Sequence, residues 1–91
     1  MPERCAITVT ISNPLGMHAR PAMLFVDVAQ GFQSKVTVRK GAEEADASSI
    51  MSMMMLAATK GTVLEIIAEG EDAAACCKAL KELVNHGFDE D

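Results

Sequence analysis

Alternating apolar and polar positions near the start of the chain predict a β-strand. Cys5, Ile7, Val9 and Ile11 are apolar, and each position between them is an alanine or a threonine. A period of two is typical of a strand that buries one face. The following residues 13–16, of sequence NPLG, are turn formers, so we expect the chain to reverse there.

A helical period follows the turn. Apolar side chains recur at spacings of three and four, at Ala22, Phe25, Val26 and Ala29. This stripe predicts an amphipathic helix that starts near His18 and ends near Gly31. Pro21 would lie in its first turn, where a missing N–H does little harm.

The middle of the chain predicts a hairpin and a short second helix. Val36 and Val38 alternate with polar residues, and the polar stretch 40–44 precedes a return strand near Ala45 to Ala47. Ser48 and Ser49 then stand before an apolar run, as residues that cap a helix do. We expect this helix, rich in methionine, to run from Ile50 to Ala58.

The last two elements are a strand and a helix. Alternation at Leu64, Ile66 and Ala68 predicts the strand. Helical spacing from Asp72 to about His86, with acidic residues in the first turn and Gly87 at the end, predicts the helix. The order βαββαβα, with helices returning to one face of a mostly antiparallel sheet, predicts a two-layer α+β fold in a single domain of residues 1–91.

Composition narrows the classes of partner. The net charge of −5, the three aromatic residues and the lack of a Lys/Arg cluster argue against nucleic-acid binding. No apolar run approaches the roughly 20 residues that span a bilayer, so we expect no membrane insertion. The first residues show no export signal, which predicts a cytoplasmic protein.

The cysteines and histidines do not form a metal-binding pattern. Cys5, Cys76 and Cys77 contain no CxxC spacing, and His18 and His86 supply no paired ligands. We expect reduced cysteines, with Cys5 and Cys76 as small packing residues, and neither a metal nor a cofactor.

Residues 16–21, GMHARP, place a histidine at the predicted start of the first helix and an arginine two positions later. Free N–H groups and the positive end of the helix dipole favour an anion there, and Arg20 would add a charge-assisted contact to a phosphate on His18. From these residues alone, the favoured interpretation is a solvated or capping His18 and an ordinary surface cation at Arg20, and only the wider context favours a phosphate site.

Three segments resemble the HPr phosphocarrier family of the bacterial phosphotransferase system. Residues 15–22, LGMHARPA, resemble its active-site signature. Residues 49–51, SIM, together with Leu56 and with KGT at 60–62, resemble its second helix and the strand that follows. Residues 68–72, AEGED, resemble the connection to its last helix. The resemblance extends from Ile7 to Val84. It implies an HPr-like open-faced sandwich of four strands with three helices on one face.

The resemblance also implies a function. His18 would accept a phosphoryl group from an Enzyme I-type protein and pass it to a IIA-type protein, so that the chain, a monomer, is a substrate of transferases and not an enzyme. The amides of Ala19 and Arg20 would receive the phosphate oxygens on Nδ1 of His18. Imidazole suits this role because much of it is uncharged and nucleophilic near neutral pH.

Two further regions have counterparts in the family. Ser49 corresponds to the serine that a dedicated HPr kinase/phosphorylase modifies in many members, although a serine before a helix is also an ordinary cap. The apolar contact surface corresponds to Met23, Ile50, Met51 and Met54, with Met53 and Leu56 expected in the core.

The branch of the system stays open. The ending, residues 85–91, and residues 17–23 resemble the nitrogen-branch type, NPr, whereas residues 49–51 resemble serine-regulated sugar-branch carriers. Asp27 and Gln30 stand where enteric sugar-branch carriers have basic residues, which makes Asp27 a candidate for partner selection. Two other classes of function are a regulatory binding module controlled by phosphorylation of Ser49 and a small structural or ligand-binding domain.

Overall fold

The fold is an open antiparallel sheet with helices packed on one face, as the hydrophobic pattern predicts. The computed structural model describes residues 3–89, so Glu90 and Asp91 of the NPr-like ending lie outside the described residues. The elements are β1 (Glu3–Thr10), α1 (Ala19–Gln30), β2 (Lys35–Lys40), β3 (Glu43–Asp46), α2 (Ile50–Met55), β4 (Val63–Gly70) and α3 (Ala73–Asn85), followed by a 3₁₀ turn at Gly87–Asp89.

The sheet has the strand order β1-β4-β2-β3, and every neighbouring pair is antiparallel. Register places Val38 of β2 opposite both Ile66 of β4 and Ala45 of β3, and all three side chains are buried under the helices. On the opposite face Arg39 forms ion pairs with Glu44 at 3.0 Å and Glu65 at 3.8 Å. One face is therefore apolar and the other polar, which leaves the sheet open on one side.

The helices complete the core. The predicted stripe of α1 is buried as expected, together with Pro21. Cys76, Cys77, Leu80 and Val84 bury the matching face of α3. Cys76 thus packs in the core as predicted, and Cys5, half-buried on the edge strand β1, packs against that core.

The second helix is shorter than the predicted span of Ile50 to Ala58. It ends at Met55, because Ala57 adopts the left-handed conformation at φ +50° and cannot continue the helix. Lys40 of β2 donates from Nζ to the carbonyl of Leu56 at 2.8 Å and satisfies one of the exposed carbonyls at this end. The apolar run alone could not reveal either feature.

Two smaller differences concern strand and helix ends. The return strand is Glu43–Asp46 and not Ala45–Ala47, although Ala47 N still donates to the carbonyl of Val36 on β2 at 3.1 Å. The first turn of α3 contains no acidic residue, contrary to the prediction. Asp72 precedes it and instead accepts bonds from Gln33 N at 2.8 Å and Ser34 Oγ at 2.6 Å, which joins α3 to the start of β2.

The chain after α3 folds back into the core. Gly87 takes a left-handed conformation at φ +61°, as a residue just past a helix end commonly does. Phe88 follows and is buried. The same end of α3 approaches the loop before α1, because Ser12 Oγ donates to the carbonyl of Val84 at 3.5 Å. The end of the described chain therefore packs beside the start of the loop that leads into α1.

Candidate phosphate-transfer site

His18 stands at the first turn of α1 as its N-cap residue. Its backbone is extended, at φ −84° and ψ −171°, and its carbonyl accepts the first helical bond from Ala22 N at 3.0 Å. Its imidazole forms no capping hydrogen bond, and the residue is half-buried. The interpretation of His18 as a side-chain cap is therefore wrong, and its ring lies at the helix start without serving as the cap.

The loop before His18 is a tight turn. Gly16 N donates to the carbonyl of Asn13 at 3.1 Å, and the buried Asn13 donates from Nδ2 to the carbonyl of Gly16 at 2.7 Å. His18 N bonds the same Gly16 carbonyl at 3.0 Å. Asn13 was predicted only as a turn former, and its hydrogen bond across the turn depends on a burial that the sequence does not display.

The segment after α2 holds this loop from the other side. Met17 is buried and donates from its amide to the carbonyl of Ala58 at 2.8 Å. Gly16 has φ +68°, and a Cβ at this position would collide with the same Ala58 carbonyl. Only glycine satisfies both the left-handed conformation and the close approach. The backbone that presents His18 is therefore fixed on both sides.

The first amides of α1 give the site its electrostatic character. Ala19 and Arg20 occupy the first two helical positions, where no preceding carbonyl lies within the helix to accept their N–H groups. Pro21 at the third position has no N–H to satisfy. Both N–H groups and the positive end of the helix dipole therefore favour negative charge beside His18.

Arg20 adds a positive charge beside this helix start. It lies on the exposed side of the first turn, two residues from His18. A guanidinium donates to phosphate oxygens in a bidentate, charge-assisted geometry. The structure thus places His18, Ala19 and Arg20 together, as predicted, and within the described residues it holds no group of His, Cys, Asp and Glu fit for a metal ion.

Next to the His18 loop, α2 exposes a set of apolar side chains. Met51 is 72% exposed and Met55 76%, while Met53 and Leu56 on the other side of the helix are buried, as predicted. Ile50 and Met54 are also exposed, and the side chains that line this shallow depression, termed here the methionine patch, are Ile50, Met51, Met54 and Met55. Exposed apolar patches of this kind are typical of docking surfaces.

Other exposed apolar side chains lie on α1 and in the loop. Met23 on α1 is exposed, one turn after His18, and Leu15 in the loop is 74% exposed. Sequence reasoning identified Met23 but missed Leu15 and Met55. The signal for Met55 was present, because a six-residue helix with buried Met53 cannot also bury a residue two positions later.

Ser49 caps α2, as its sequence position predicts. Its Oγ accepts a hydrogen bond from Ser52 N at 3.1 Å. Ser48 does not share this role, because it donates from both N and Oγ to Asp46 Oδ1, at 2.8 and 2.7 Å. These two bonds lower the pKa of Asp46, since they stabilise its ionised form.

The two serines lie away from His18. Gln30, at the end of α1, donates from Nε2 to the carbonyl of Ser48 at 3.3 Å, whereas the loop at the start of α1 contacts Ala58 beyond α2. The twelve residues of α1 span about 18 Å. Ser49 and His18 therefore occupy opposite ends of one surface, with the methionine patch between them.

Comparison with known proteins agrees with this geometry. The PTS-HPr family model, described as the PTS HPr component phosphorylation site, matches residues 5–86. The chain is 48% identical to phosphocarrier protein HPr of Pseudomonas aeruginosa over 86 residues, which cover 93% of this chain and 96% of that protein. It is 44% identical to phosphocarrier protein NPr of Escherichia coli K12 over 85 residues, 92% of this chain and 94% of that one.

Solved structures show the same fold. The HPr structure from Thermoanaerobacter tengcongensis superposes with a TM-score of 0.91 at 40% identity, covering 96% of this chain and 98% of that one. HPr from Bacillus anthracis superposes with a TM-score of 0.84 at 36% identity, covering 89% and 96%. With the family model matched across nearly the whole chain, this protein belongs to the PTS-HPr family.

Proposed function

We propose that this protein is a phosphocarrier of the phosphoenolpyruvate-dependent phosphotransferase system, and that His18 is its phosphoryl acceptor. The observation that carries the proposal is the position of His18: its ring stands at the start of α1 without capping the helix, inside the segment that the family model matches. Relatives with both the HPr and the NPr name support the carrier role.

The chemistry requires little more than positioning. The Nδ1 lone pair of a neutral His18 attacks the phosphorus atom of the donor, a new P–N bond forms, and the bond from phosphorus to the donor's leaving group breaks. Nε2 keeps its proton throughout. Transfer to the acceptor reverses these steps and restores the neutral imidazole, so the protein ends each cycle unchanged.

Nδ1 is the ring nitrogen nearer to the backbone. A phosphoryl group on it lies closer to the amides of Ala19 and Arg20 than one on Nε2 would. Those amides and the Arg20 guanidinium offset the negative charge of the bound group, which is the main contribution a protein makes to phosphoryl transfer. This arrangement stabilises the carrier state without a metal ion.

The partners follow from the same chemistry. An Enzyme I-type protein supplies the phosphoryl group and a IIA-type protein receives it, and both dock on the methionine patch and Met23 beside His18. Methionine side chains suit a surface that must fit more than one partner. We place the cycle in the cytoplasm, where phosphoenolpyruvate is formed; within the described residues no helix is long and apolar enough to cross a membrane.

Labelling with phosphoenolpyruvate and an Enzyme I of the host tests the proposal. The chain has two histidines, so His18→Ala and His86→Ala are matched variants. We expect acid-labile label in the wild type and in His86→Ala, and none in His18→Ala. Label retained in His18→Ala, or a wild type that no Enzyme I of the host can label, would overturn the proposal.

A second function is favoured by the position of Ser49. Its hydroxyl begins α2 directly before Ile50 and Met51 of the methionine patch. A phosphate there would add about two negative charges beside the docking surface and change which partners bind. We therefore propose that an HPr kinase/phosphorylase can regulate the carrier through Ser49.

Aspartate substitutions separate this regulation from a general charge effect. Ser49→Asp should slow phosphoryl transfer from Enzyme I more than Ser48→Asp, because Ser49 adjoins the methionine patch and Ser48 faces Asp46. Equal rates for the two variants would count against Ser49 as a regulatory position.

A further inference from the structure

Three thiols lie together between β1 and α3, at the end of β1 far from His18. Cys77 is buried, and its Sγ donates a hydrogen bond to the carbonyl of Cys5 at 3.4 Å. Besides its burial, the neighbouring Cys5 thiol also raises the pKa of Cys77. Cys76 is buried beside them, whereas Cys5 is only half-buried.

The helix selects which thiol faces Cys5. Successive residues of an α-helix point about 100° apart around its axis, so Cys76 and Cys77 cannot both be aimed at the same point on β1. The hydrogen bond from Cys77 Sγ to the Cys5 carbonyl identifies Cys77 as the residue aimed at Cys5. A disulfide needs a sulfur separation of about 2.05 Å. Cys77 Sγ already lies 3.4 Å from the Cys5 carbonyl oxygen, so rotation of the two side chains is the change that the bridge requires.

We propose that Cys5 and Cys77 form a redox-sensitive thiol pair, which a small disulfide oxidises to a bridge between β1 and α3. Cys5 lies on the first strand and Cys77 on the last helix, 72 positions apart in the chain. None of the chemistry of the His18 site uses either residue.

The oxidation balances with glutathione disulfide as the oxidant. The Cys5 thiolate attacks one sulfur of glutathione disulfide, forms a mixed disulfide and releases one glutathione thiolate. The Cys77 sulfur, losing its proton to water, then attacks the Cys5 sulfur and expels the second glutathione. The protein loses two hydrogens in total, and one glutathione disulfide becomes two glutathione molecules.

The second step is expected to be slow at neutral pH. Burial and the neighbouring Cys5 thiol raise the pKa of Cys77 to about 12. Little of it is therefore thiolate at neutral pH, and its attack accelerates as the pH rises. The half-buried Cys5 is the thiol that the reagent reaches first.

The bridge has a structural consequence. β1 lies at the edge of the sheet, and the closed loop contains nearly the whole chain. The disulfide keeps this edge strand attached to α3 of the same chain, and it reduces the conformational freedom of the unfolded state. His18 follows the other end of β1, so phosphoryl transfer continues in the oxidised protein.

Incubation of the folded, reduced protein with glutathione disulfide tests the proposal. We expect mass spectrometry to show a transient glutathione adduct, then a product lacking two hydrogens, and peptide mapping to link Cys5 to Cys77. The oxidised protein should melt roughly 10 °C or more higher. Amide exchange in β1 should slow.

Serine variants show which two cysteines form the bridge. Cys77→Ser should stop at the adduct on Cys5, and Cys5→Ser should not react, whereas Cys76→Ser, at an equally buried neighbouring position, should still close. A wild type that keeps the adduct without closing, a bridge to Cys76, or closure only in denaturant would overturn the proposal. Mapping of the wild type decides the matter even where a variant does not fold.

Discussion

At the residue scale, single positions around His18 have distinct structural roles. Gly16 permits a close backbone contact, His18 ends the loop without capping α1, and Arg20 stands exposed beside it. The three positions, though not the contact that requires Gly16, were identifiable from the sequence because GMHARP combines a glycine, a histidine and a cation before a helical stripe. Asn13 was not, because its bond to the Gly16 carbonyl depends on burial in the folded state.

Removal of the Arg20 charge should slow transfer without unfolding the protein. Arg20 is exposed. A charge-assisted contact to phosphate of about 1.5–3 kcal/mol corresponds to a rate loss of about 10- to 160-fold for Arg20→Ala. Arg20→Lys should recover part of it. Rapid-quench transfer kinetics measure both, and Arg39→Ala on the open face is the matched control. Unchanged kinetics in Arg20→Ala would remove Arg20 from the site.

Ala57 is a strained position that can be improved. Its φ of +50° is unfavourable for a residue with a Cβ. Ala57→Gly should raise the free energy of unfolding by about 0.5 kcal/mol, after the greater flexibility of glycine in the unfolded chain is subtracted. Urea unfolding measures the change. The adjacent, buried Ala58 is the control, since Ala58→Gly should destabilise the protein.

At the element scale, regular patterns were easy to interpret and their ends were not. Strands with one buried face and helices with one buried stripe follow directly from the spacing of apolar residues. The end of α2 was missed because it depends on the conformation of Ala57 and on Lys40, which belongs to another element. The position of Phe88 was missed because it is a single apolar residue in a polar ending.

Asp72 should make the packing of α3 against the start of β2 depend on pH. Hydrogen bonds from Gln33 N and Ser34 Oγ lower its pKa in the folded protein. Its contribution to stability is then fully present above the unfolded pKa of about 3.9. It is lost as the pH falls through the lower folded pKa.

Substitution of Asp72 tests this linkage. Asp72→Asn should lower the free energy of unfolding at neutral pH, and its difference from the wild type should shrink in acid, below about pH 3. Urea titrations at both pH values measure this, with Glu71→Gln, at the exposed neighbouring position, as the control. A difference that does not change with pH would contradict the role given to the Asp72 carboxylate.

At the scale of the whole molecule, one surface carries His18, the methionine patch and Ser49. α1 and α2 place His18 and Ser49 at opposite ends, with the methionine patch beside them, and the sheet supports both helices from below. The fold and the place of His18 at the start of α1 were predictable because three motifs appear in order along the chain. The full extent of the patch was not, since Leu15 and Met55 became evident only from their exposure.

Charge in the methionine patch should weaken docking and leave the fold intact. Met54→Asp places a carboxylate on an exposed apolar position, so we expect the KM of Enzyme I for this protein to rise by about 10-fold or more. Steady-state transfer assays measure KM, and thermal unfolding should change little. Val63→Asp, at an exposed apolar position on the opposite face of the sheet, is the matched control. Equal effects in both variants would contradict a docking role for the patch.

The most direct measurement is nuclear magnetic resonance of the phosphorylated, isotope-labelled protein. We predict a phosphoryl group on Nδ1 of His18, the largest amide shifts at Ala19 and Arg20, and unchanged ring signals for His86. These shifts would report hydrogen bonds from the start of α1 to the phosphate oxygens. A phosphoryl group on His86 or on Nε2 of His18, or undisturbed amides at Ala19 and Arg20, would contradict the proposed carrier site.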